Sequence, residues 1–536
     1  MSKIFEELVE KRGFSKSYLY PKYEGLPEAW LLPDMKEAVE RVKKAVKQGE
    51  KVIIYGDYDA DGVTAATVMR EALRLAGLTD IETMLPDRFK DGYGMSEKVI
   101  ERAKEAGAGL VITVDCGSGN GKIVEGLKKE GVETIITDHH ECPDELPKAV
   151  AVVNPKRKDA KNPELRDLAG VGVAFMVAKA MVSEGMIPEG QEKWLLDLVL
   201  IGTICDSMKM SEANRILSFY GVKVLSKTRR AGLKELMRTA GVKQITADSI
   251  GFQIGPRLNA AGRMATAEVA LGLLNARTKM EGARLADELE KFNSERRNQQ
   301  IAAMREFKER GLTEDEVLVV TGDWHEGVLG IIAGRLVEDY KKPAFVLSRV
   351  GEGVLKGSGR SFGDFSLAKA LEACKEVIIG GGGHAGAAGV KVAEERLEEF
   401  KEAMNAYYKS LKLTNQERFL ERQADVKVRY LGEFTLELVE ELKLLEPFGV
   451  GNEAPVFELE NVFILDKALM GAEGQHLRLL VRGEDGKVMK LIAFNAPETW
   501  RRVERGQEAS LLVSVEENEW NGLRSVEGRI LEIRGC

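Results

Sequence analysis

Three aspartates occupy alternate positions, Asp57, Asp59 and Asp61, directly after the β-branched run Val52-Ile53-Ile54 in KVIIYGDYDADG. The spacing DxDxDG also opens a calcium-binding EF-hand loop, but that loop follows a helix and carries a bidentate glutamate at its twelfth position. Here a strand-like run precedes the aspartates and Val68 holds that position, so the carboxylates serve another purpose. The same arrangement recurs along the chain. LVITV ends in Asp115, TIIT in Asp138-His139-His140, and LIGTIC in Asp206. In open parallel sheets ligands bind beyond the carboxyl ends of the strands, so these ends would deliver oxygen and imidazole ligands to one place. Residues two apart in an extended segment face the same way, which is the expectation for Asp57, Asp59 and Asp61. One aspartate after a strand is ordinarily a turn residue or a helix cap; four in register, one of them Asp-His-His, are not coincidence. A mixed carboxylate and imidazole set suits Mn²⁺ or Mg²⁺, whereas thiolates would have indicated zinc. Two such ions about 3.5–4 Å apart activate a water and stabilise the leaving oxygen of a phosphodiester, so phosphoryl transfer is the chemistry this set fits best.

The second half of the chain offers a different chemistry. GSGRSFGDFS and IIGGGGHAGAAG are glycine-rich. Glycine lets backbone amides approach an anion, and helix N-termini favour phosphate. Ser358, Arg360 and His384 are suitable phosphate partners within these stretches. No GxxxxGK[ST] occurs, which excludes a P-loop nucleotidase. The chain has 5 histidines. His139, His140 and His384 lie in these motifs, His325 lies in WHEGVLGIIAGRL, and His476 reads as an ordinary core or surface residue.

Elements that position these residues follow from periodicity. Residues 1–50 read as a helical segment leading into the first strand. From 51 to 215 strand-like and helical runs alternate, implying a parallel sheet with covering helices; within this unit WLLDLVLIGTICD reads as a buried strand or a short helix. Residues 216–311 read as a helical region ending in a connector over 266–311, one long amphipathic helix or two with a break. A second α/β unit follows over 312–412, then the charged stretch KLTNQERFLERQ as a linker. From 425 to 536 the pattern alternates at period two, with Asn521-Gly522 a hairpin turn, and a small barrel of the OB type is expected. The fold class is therefore α/β: two α/β domains joined by a long helix, followed by an all-β barrel. Such a barrel binds single strands through a basic groove and stacking aromatics. Trp520 beside the turn could stack on a base or belong to the core.

Composition sets wide bounds. A chain of 536 residues exceeds one core. No apolar run approaches the length of a membrane span, and MSKIFEELVEKRGF has no apolar signal region, so no membrane or secretory role is expected. Scattered cysteines with no CxxC suit a reducing cytoplasm and argue against a zinc ribbon. The net charge of −8 neither advertises nor excludes a nucleic-acid partner, because carboxylates that hold cations are themselves negative.

Taken together, YGDYDADG, LPDRFKDGYG, TDHHE, LAGVGVAF, GPRLNAAGRM, WHEGVLGIIAGRL, KGSGRS, GGGGHAGAAG and LEPFGVGNEAPVF resemble the DHH phosphoesterase superfamily, and within it the RecJ-type nucleases. The resemblance covers nearly the whole chain. It implies a DHH catalytic domain, a DHHA1-type substrate-binding domain and an OB-type nucleic-acid-binding domain. It implies a single-stranded-DNA-specific 5′→3′ exonuclease of DNA repair and recombination, using two Mn²⁺ or Mg²⁺ ions. It makes Asp59, Asp61, Asp115, His139 and Asp206 metal ligands, with Asp57 and His140 in close catalytic support. Arg88, Arg263, Ser358 and Arg360 would form a pocket for the 5′-terminal phosphate, and Asn259 and His384 would line the DNA path near the cleavage site. Expected partners are single-stranded DNA, and single-stranded-DNA-binding protein or a helicase; a monomer is expected. Two other readings compete. A DHH phosphodiesterase acting on short oligoribonucleotides or cyclic dinucleotides would not need a C-terminal barrel of this kind. A catalytically dead DNA-binding scaffold should have lost metal ligands, and every expected Asp and His is present.

Overall fold

Val52–Tyr55 (β1), Leu110–Val114 (β3) and Glu133–Thr137 (β4) are apolar, β-branched runs buried almost throughout. Strands in parallel sheets, covered by helices on both faces, take this form. With Ile81–Met84 (β2) and Ala151–Val153 (β5) they build an all-parallel sheet of order β2-β1-β3-β4-β5. The computed structural model describes all residues except Tyr93, Asn162, 312–314, 415–421, 472–473, Asn521 and 535–536; the side chains of Arg310 and Trp520 also lie outside it.

Two local expectations change. The run before Asp206 is a helix, Leu196–Cys205, buried on nearly all sides. An all-round apolar run of this length carries no periodicity to separate a buried helix from a buried strand. Nor are the three alternate aspartates on one extended segment. Asp59 is the N-cap of the helix Ala60–Leu75, accepting from the Gly62 amide at 3.0 Å, and Asp61 lies in that helix's first turn. Capping by the second aspartate starts the helix before the third is reached.

The connector is two helices, Glu268–Asn275 and Lys279–Arg310. The second enters two cores: Leu285, Ala286 and Leu289 pack into the first domain, Ala303 and Phe307 into the next. That next domain holds a mixed sheet, β6-β7-β8-β10-β9, formed by Leu318–Gly322, Ala344–Arg349, Val354–Arg360, Ala387–Ala393 and Gly380–Gly383 respectively. The final domain contains Val426–Val428 (β11), Phe457–Met470 (β12), His476–Arg482 (β13), Val488–Ala493 (β14), Glu508–Trp520 (β15) and Leu523–Arg534 (β16). Strands β12-β13-β14-β16-β15 close on themselves through β12–β15 pairing, giving a five-stranded barrel of the OB type. The expected hairpin turn and most of the expected linker include residues outside those described.

The N-terminal segment is divided between domains. Ile4, Phe5, Leu8 and Leu19 pack into the barrel core, whereas Tyr23 through Ala45 pack into the core of the first domain. Arg12 pairs bidentately with Asp425 at 2.7 Å, fastening the first helix, Lys3–Arg12, to the start of the barrel. A second fastening follows Asp206. The Met210 amide donates to Val450 O at 2.8 Å, and the almost fully buried Arg215 donates to the carbonyls of Leu444 and Glu446. The LEPFGVGN stretch is therefore the seat of the barrel on the first domain. Asn452 stiffens it internally, donating to Leu445 O at 2.8 Å and Pro447 O at 3.1 Å.

Phe5 is fully buried within the barrel core although it is more than four hundred residues away in sequence. Phe5→Ala should therefore destabilise the barrel by about 3–5 kcal/mol, the usual cost of emptying a buried phenylalanine site. Limited proteolysis should then cut first beyond residue 425. Cutting confined to the first domain would contradict this packing.

Candidate active site

Asp115 follows β3 with φ 60°, a left-handed conformation that aspartate tolerates better than most residues and that turns its carboxylate back over the sheet end. Its neighbours are trimmed to fit. A Cβ on Gly170 would lie 2.5 Å from Asp115 Cβ, and one on Gly202 would lie 2.6 Å from Asp61 Oδ1. Asp61 is fully buried and accepts from the Gly170 amide at 2.7 Å and the Val171 amide at 2.9 Å. Those amides belong to the first turn of the helix Gly170–Ser183, whose N-terminal dipole favours a carboxylate. LAGVGVAF thus supplies the support for Asp61.

The ligand atoms converge. His139 Nε2 lies 3.0 Å from Asp115 Oδ1, 3.5 Å from Asp206 Oδ2 and 3.7 Å from Asp61 Oδ2, and His140 Nδ1 lies 3.9 Å from Asp115 Oδ1. Three groups have potential ligand atoms within 4.8 Å of one another: Asp57-Asp59-Asp115, Asp61-His139-Asp206 and Asp115-His139-His140. Asp115 and His139 each belong to two groups, as expected of residues set between two cation positions. Asp57 and His140 stand at ligand distance as well, beside the five residues first expected to be ligands. Asp115 Oδ1 and His139 Nε2 are buried and make no aligned hydrogen bond. Buried polar atoms are ordinarily paired, so this donor set fits divalent cations.

Protonation reflects the same crowding. Burial, and then Asp59, push the Asp57 carboxyl up to about 8; burial and Asp59 push Asp206 up to about 7. Burial raises Asp61 and Asp115 well above the carboxylate range, with Asp206 and Asp61 respectively as the next causes. Burial, then His140, push His139 down to about 3, keeping its imidazole neutral and able to ligate. Asp138 behaves oppositely. Burial acts to raise it, but the His140 hydrogen bond and charge outweigh that and hold it below the carboxylate range. Its carboxylate accepts from the Ser118, His139 and His140 amides and from His140 Nδ1 at 2.9 Å. Asp138 therefore orients the His140 ring and holds the backbone amides of both histidines, a role not assigned to it from sequence, although it stands in the triplet itself.

The arginine pocket adjoins this cluster. Arg88 stacks over Tyr58, between Asp57 and Asp59, at 5.1 Å. Asn259 Oδ1 accepts from the Ala60 amide at 2.8 Å, so this residue ties the aspartate loop to the helix Gly255–Met264 as well as facing a cavity of about 1320 Å³. On the same helix Arg263 donates to Gly327 O at 3.3 Å. A Cβ on Gly327 would fall 1.9 Å from Arg263 O, so WHEGVLG docks closely on GPRLNAAGRM. His325 braces that junction, accepting from the Gly327 amide at 3.1 Å and meeting Phe89 edge-on at 5.2 Å. Arg360 donates to Ser358 Oγ at 3.1 Å, and both face Gly330 in the first turn of the helix Leu329–Tyr340. Arg88, Arg263 and Arg360 have no carboxylate within 4.0 Å among the described residues. Burial and then Arg88 push Arg263 down to about 10, with Arg296 and Arg360 acting the same way and Asp59 opposing them, the mark of cations gathered together. His384 is exposed on the β9–β10 turn and belongs to none of the three ligand groups found among the described residues.

The cavity runs from Asn259 and Arg263 to the barrel. Its helical wall carries Lys223, Arg296 and Phe252; its barrel wall carries Glu516, Glu517 and Arg529. Within this cavity acidic side chains outnumber basic ones on the barrel wall, whereas the helical wall carries Lys223, Arg263 and Arg296. Glu517 is bound by Arg524 and Lys443, and burial, followed by Glu527, raises the Glu516 carboxyl.

Comparison with known proteins agrees with this architecture. Residues 51–203 match the DHH family, N-terminal domain, residues 314–410 the DHHA1 domain, and residues 425–532 the RecJ OB domain. The chain is 33% identical to the single-stranded-DNA-specific exonuclease RecJ of Haemophilus influenzae, covering 92% of this chain and 89% of that protein. The chain belongs to the RecJ family. It is 32% identical to Escherichia coli RecJ, covering 98% of this chain and 94% of that protein. It is 35% identical to Bacillus subtilis RecJ over 97% of its length, and spans only 66% of that longer relative. Thermus thermophilus RecJ, solved in complex with Mn²⁺, superposes with a TM-score of 0.86 at 28% identity, covering 100% of this chain and 76% of the other.

The carboxyl shifts set a pH dependence. A carboxyl whose folded value is raised contributes stability below its unfolded value, and loses it as pH rises through the folded value. Raised Asp57 and Asp206 therefore make the metal-free protein lose stability as pH climbs from about 4 towards 8. Cations need the deprotonated ligands. Added Mn²⁺ should accordingly raise the melting temperature several degrees more at pH 8 than at pH 5.5. Equal Mn²⁺-induced shifts at the two pH values would count against this ligand set.

Proposed function

We propose that this chain is a metal-dependent exonuclease that hydrolyses single-stranded DNA from its 5′ end. The observation that carries this reading is the adjacency of the aspartate–histidine cluster to an arginine–serine pocket without a carboxylate of its own. Asp59, Asp61, Asp115, His139 and Asp206 would hold two Mn²⁺ or Mg²⁺ ions, with Asp57 and His140 beside them and Asp138 fixing the His140 imidazole. When bound, the cations supply activation of a water and neutralisation of the phosphodiester's charge. Ser358, Arg360 and Arg263 hold the terminal 5′-phosphate through charge-assisted hydrogen bonds. Arg88, seated over Tyr58 between pocket and carboxylates, sets the anchored end against the aspartates. Asn259 keeps the aspartate loop in place. Anchoring one end beside the reacting groups confines cleavage to the terminal bonds, which makes the enzyme an exonuclease and gives it polarity. The cavity leading on to the barrel supports a polymer as substrate, rather than a cyclic dinucleotide.

The proposal extends to a monomeric cytoplasmic enzyme of DNA repair and recombination, meeting single-stranded-DNA-binding protein or a helicase at its substrate. Four described cysteines are free, in keeping with a reducing compartment. No described helix is long and apolar enough to cross a membrane.

Two substitutions test the reading. Asp115→Ala removes the carboxylate shared between two ligand groups, and should abolish cleavage of end-labelled single-stranded DNA while the protein remains folded by circular dichroism. Wild-type turnover by this variant would refute the shared-ligand role. Arg360→Ala should slow digestion of 5′-phosphorylated DNA about 10–100-fold, the loss expected for a charged hydrogen bond, and slow 5′-hydroxyl DNA far less. Equal slowing of both substrates would rule out a terminal-phosphate pocket.

A further inference from the structure

The turn that leads into the helix carrying Asn259 and Arg263 presents an aromatic side chain largely uncovered by the described residues. Phe252 is 78% exposed, more than any other described Phe, Tyr or Trp. It belongs to a π-helical turn, Ile250–Ile254, that runs directly into the helix Gly255–Met264. Such a turn accommodates one extra residue, and π turns are frequent at functional sites. Here the flanking Ile250 and Ile254 are fully buried in the first domain, whereas Phe252 points away from it.

Its direction is informative. Phe252, Pro256, Asn259 and Arg263 all line the cavity of about 1320 Å³, at spacings of four, three and four residues along the chain. Asn259 and Arg263, and Pro256 with Asn259, are so spaced that they share one face of the α-helix, and the π turn before it brings Phe252 to the same cavity. The line begins at the phosphate pocket with Arg263, passes Asn259 beside the aspartate loop, and reaches Phe252 about 10 Å further on, at 1.5 Å rise per residue. Lys223 and Arg296 line the same cavity. An exposed π-face in a cavity that also carries cations is an arrangement that can hold single strands without regard to sequence, bases stacking on the ring while cations follow the backbone.

We infer that Phe252 is a base-stacking subsite: it takes the face of a nucleobase on the 3′ side of the cleavage position, and so holds the strand in register with the carboxylates. This inference rests on the reading of the chain as a single-strand nuclease, and it gives the wall opposite the barrel a part in gripping the substrate.

The test uses the full-length protein and short 5′-phosphorylated oligothymidylates in which a single abasic site is moved stepwise from the 5′ end. Binding is read by fluorescence anisotropy in EDTA, and cleavage as kcat/KM with Mn²⁺. In the wild type, one abasic position should weaken binding by about tenfold, as loss of a single stack does. Phe252→Ala should weaken binding of the unmodified strand by a similar factor and abolish the penalty at that one position, leaving penalties elsewhere intact. Phe252→Trp should restore both affinity and the penalty, which a merely structural role would not do. Phe252→Leu, which keeps an apolar side chain without a π-face, should behave like Phe252→Ala. Thermal melting with and without Mn²⁺ verifies that each variant is folded. An abasic profile unchanged by Phe252→Ala, or full affinity in Phe252→Leu, would overturn the inference. Loss of cleavage in the wild type with the EDTA binding pattern intact would instead overturn the proposed function and leave the stacking subsite standing.

Discussion

The structure depends on keeping several carboxylates buried together at the end of a parallel sheet. Asp57, Asp61 and Asp115 are almost wholly removed from water; Asp57 lies with Asp115, and Asp61 and Asp115 both face His139. Each is costly to bury charged, and the cost falls only where backbone amides, a helix N-terminus or a cation meets it. Asp61 has two amides from the helix Gly170–Ser183; Asp138 has three amides and an imidazole; Asp115 Oδ1 has none. The incomplete satisfaction is concentrated at Asp115 and His139, the two residues shared between ligand groups. Glycines at 62, 170 and 202 are part of the same constraint, since a Cβ at any of them would enter the space of the aspartate loops.

Around this cluster the other domains are arranged by contacts that reach back to it. The second α/β domain is held against the helix Gly255–Met264 at the Gly327–Arg263 approach, which brings Ser358 and Arg360 alongside Arg263. The barrel sits on residues 209–215, just beyond Asp206, through Met210 and Arg215. A load on the barrel therefore bears on a segment that begins at a carboxylate of the cluster. The helix Lys279–Arg310, entering two cores, keeps the two α/β domains at a set separation.

The sequence was most readable where one local rule dominates. β-branched runs ending in aspartate marked β1, β3 and β4, because strands buried on both faces must be apolar and the residue that leaves them need not be. It was least readable where tertiary burial overrides local pattern. The apolar run before Asp206 could be strand or helix, and burial on all sides made it a helix. The alternation of Asp57, Asp59 and Asp61 suggested one extended segment, but capping by Asp59 wound the third aspartate into a helix. Asp138 and Phe252 were passed over for different reasons: one is a carboxylate inside a recognised triplet, the other an ordinary aromatic until its exposure is known.

By itself the sequence determined the ligand chemistry, the parallel first sheet and the barrel, since residue types and periodicity express these directly. Only the tertiary structure decided which carboxylates share a ligand position, that the N-terminal helix belongs to the barrel, and that the basic wall of the cavity lies opposite the barrel. The physical reason is range. Side-chain chemistry and backbone periodicity act over a few residues, whereas the pairing of Arg12 with Asp425, of Asp61 with Gly170 and of Arg263 with Gly327 joins positions that meet only after the cores have formed.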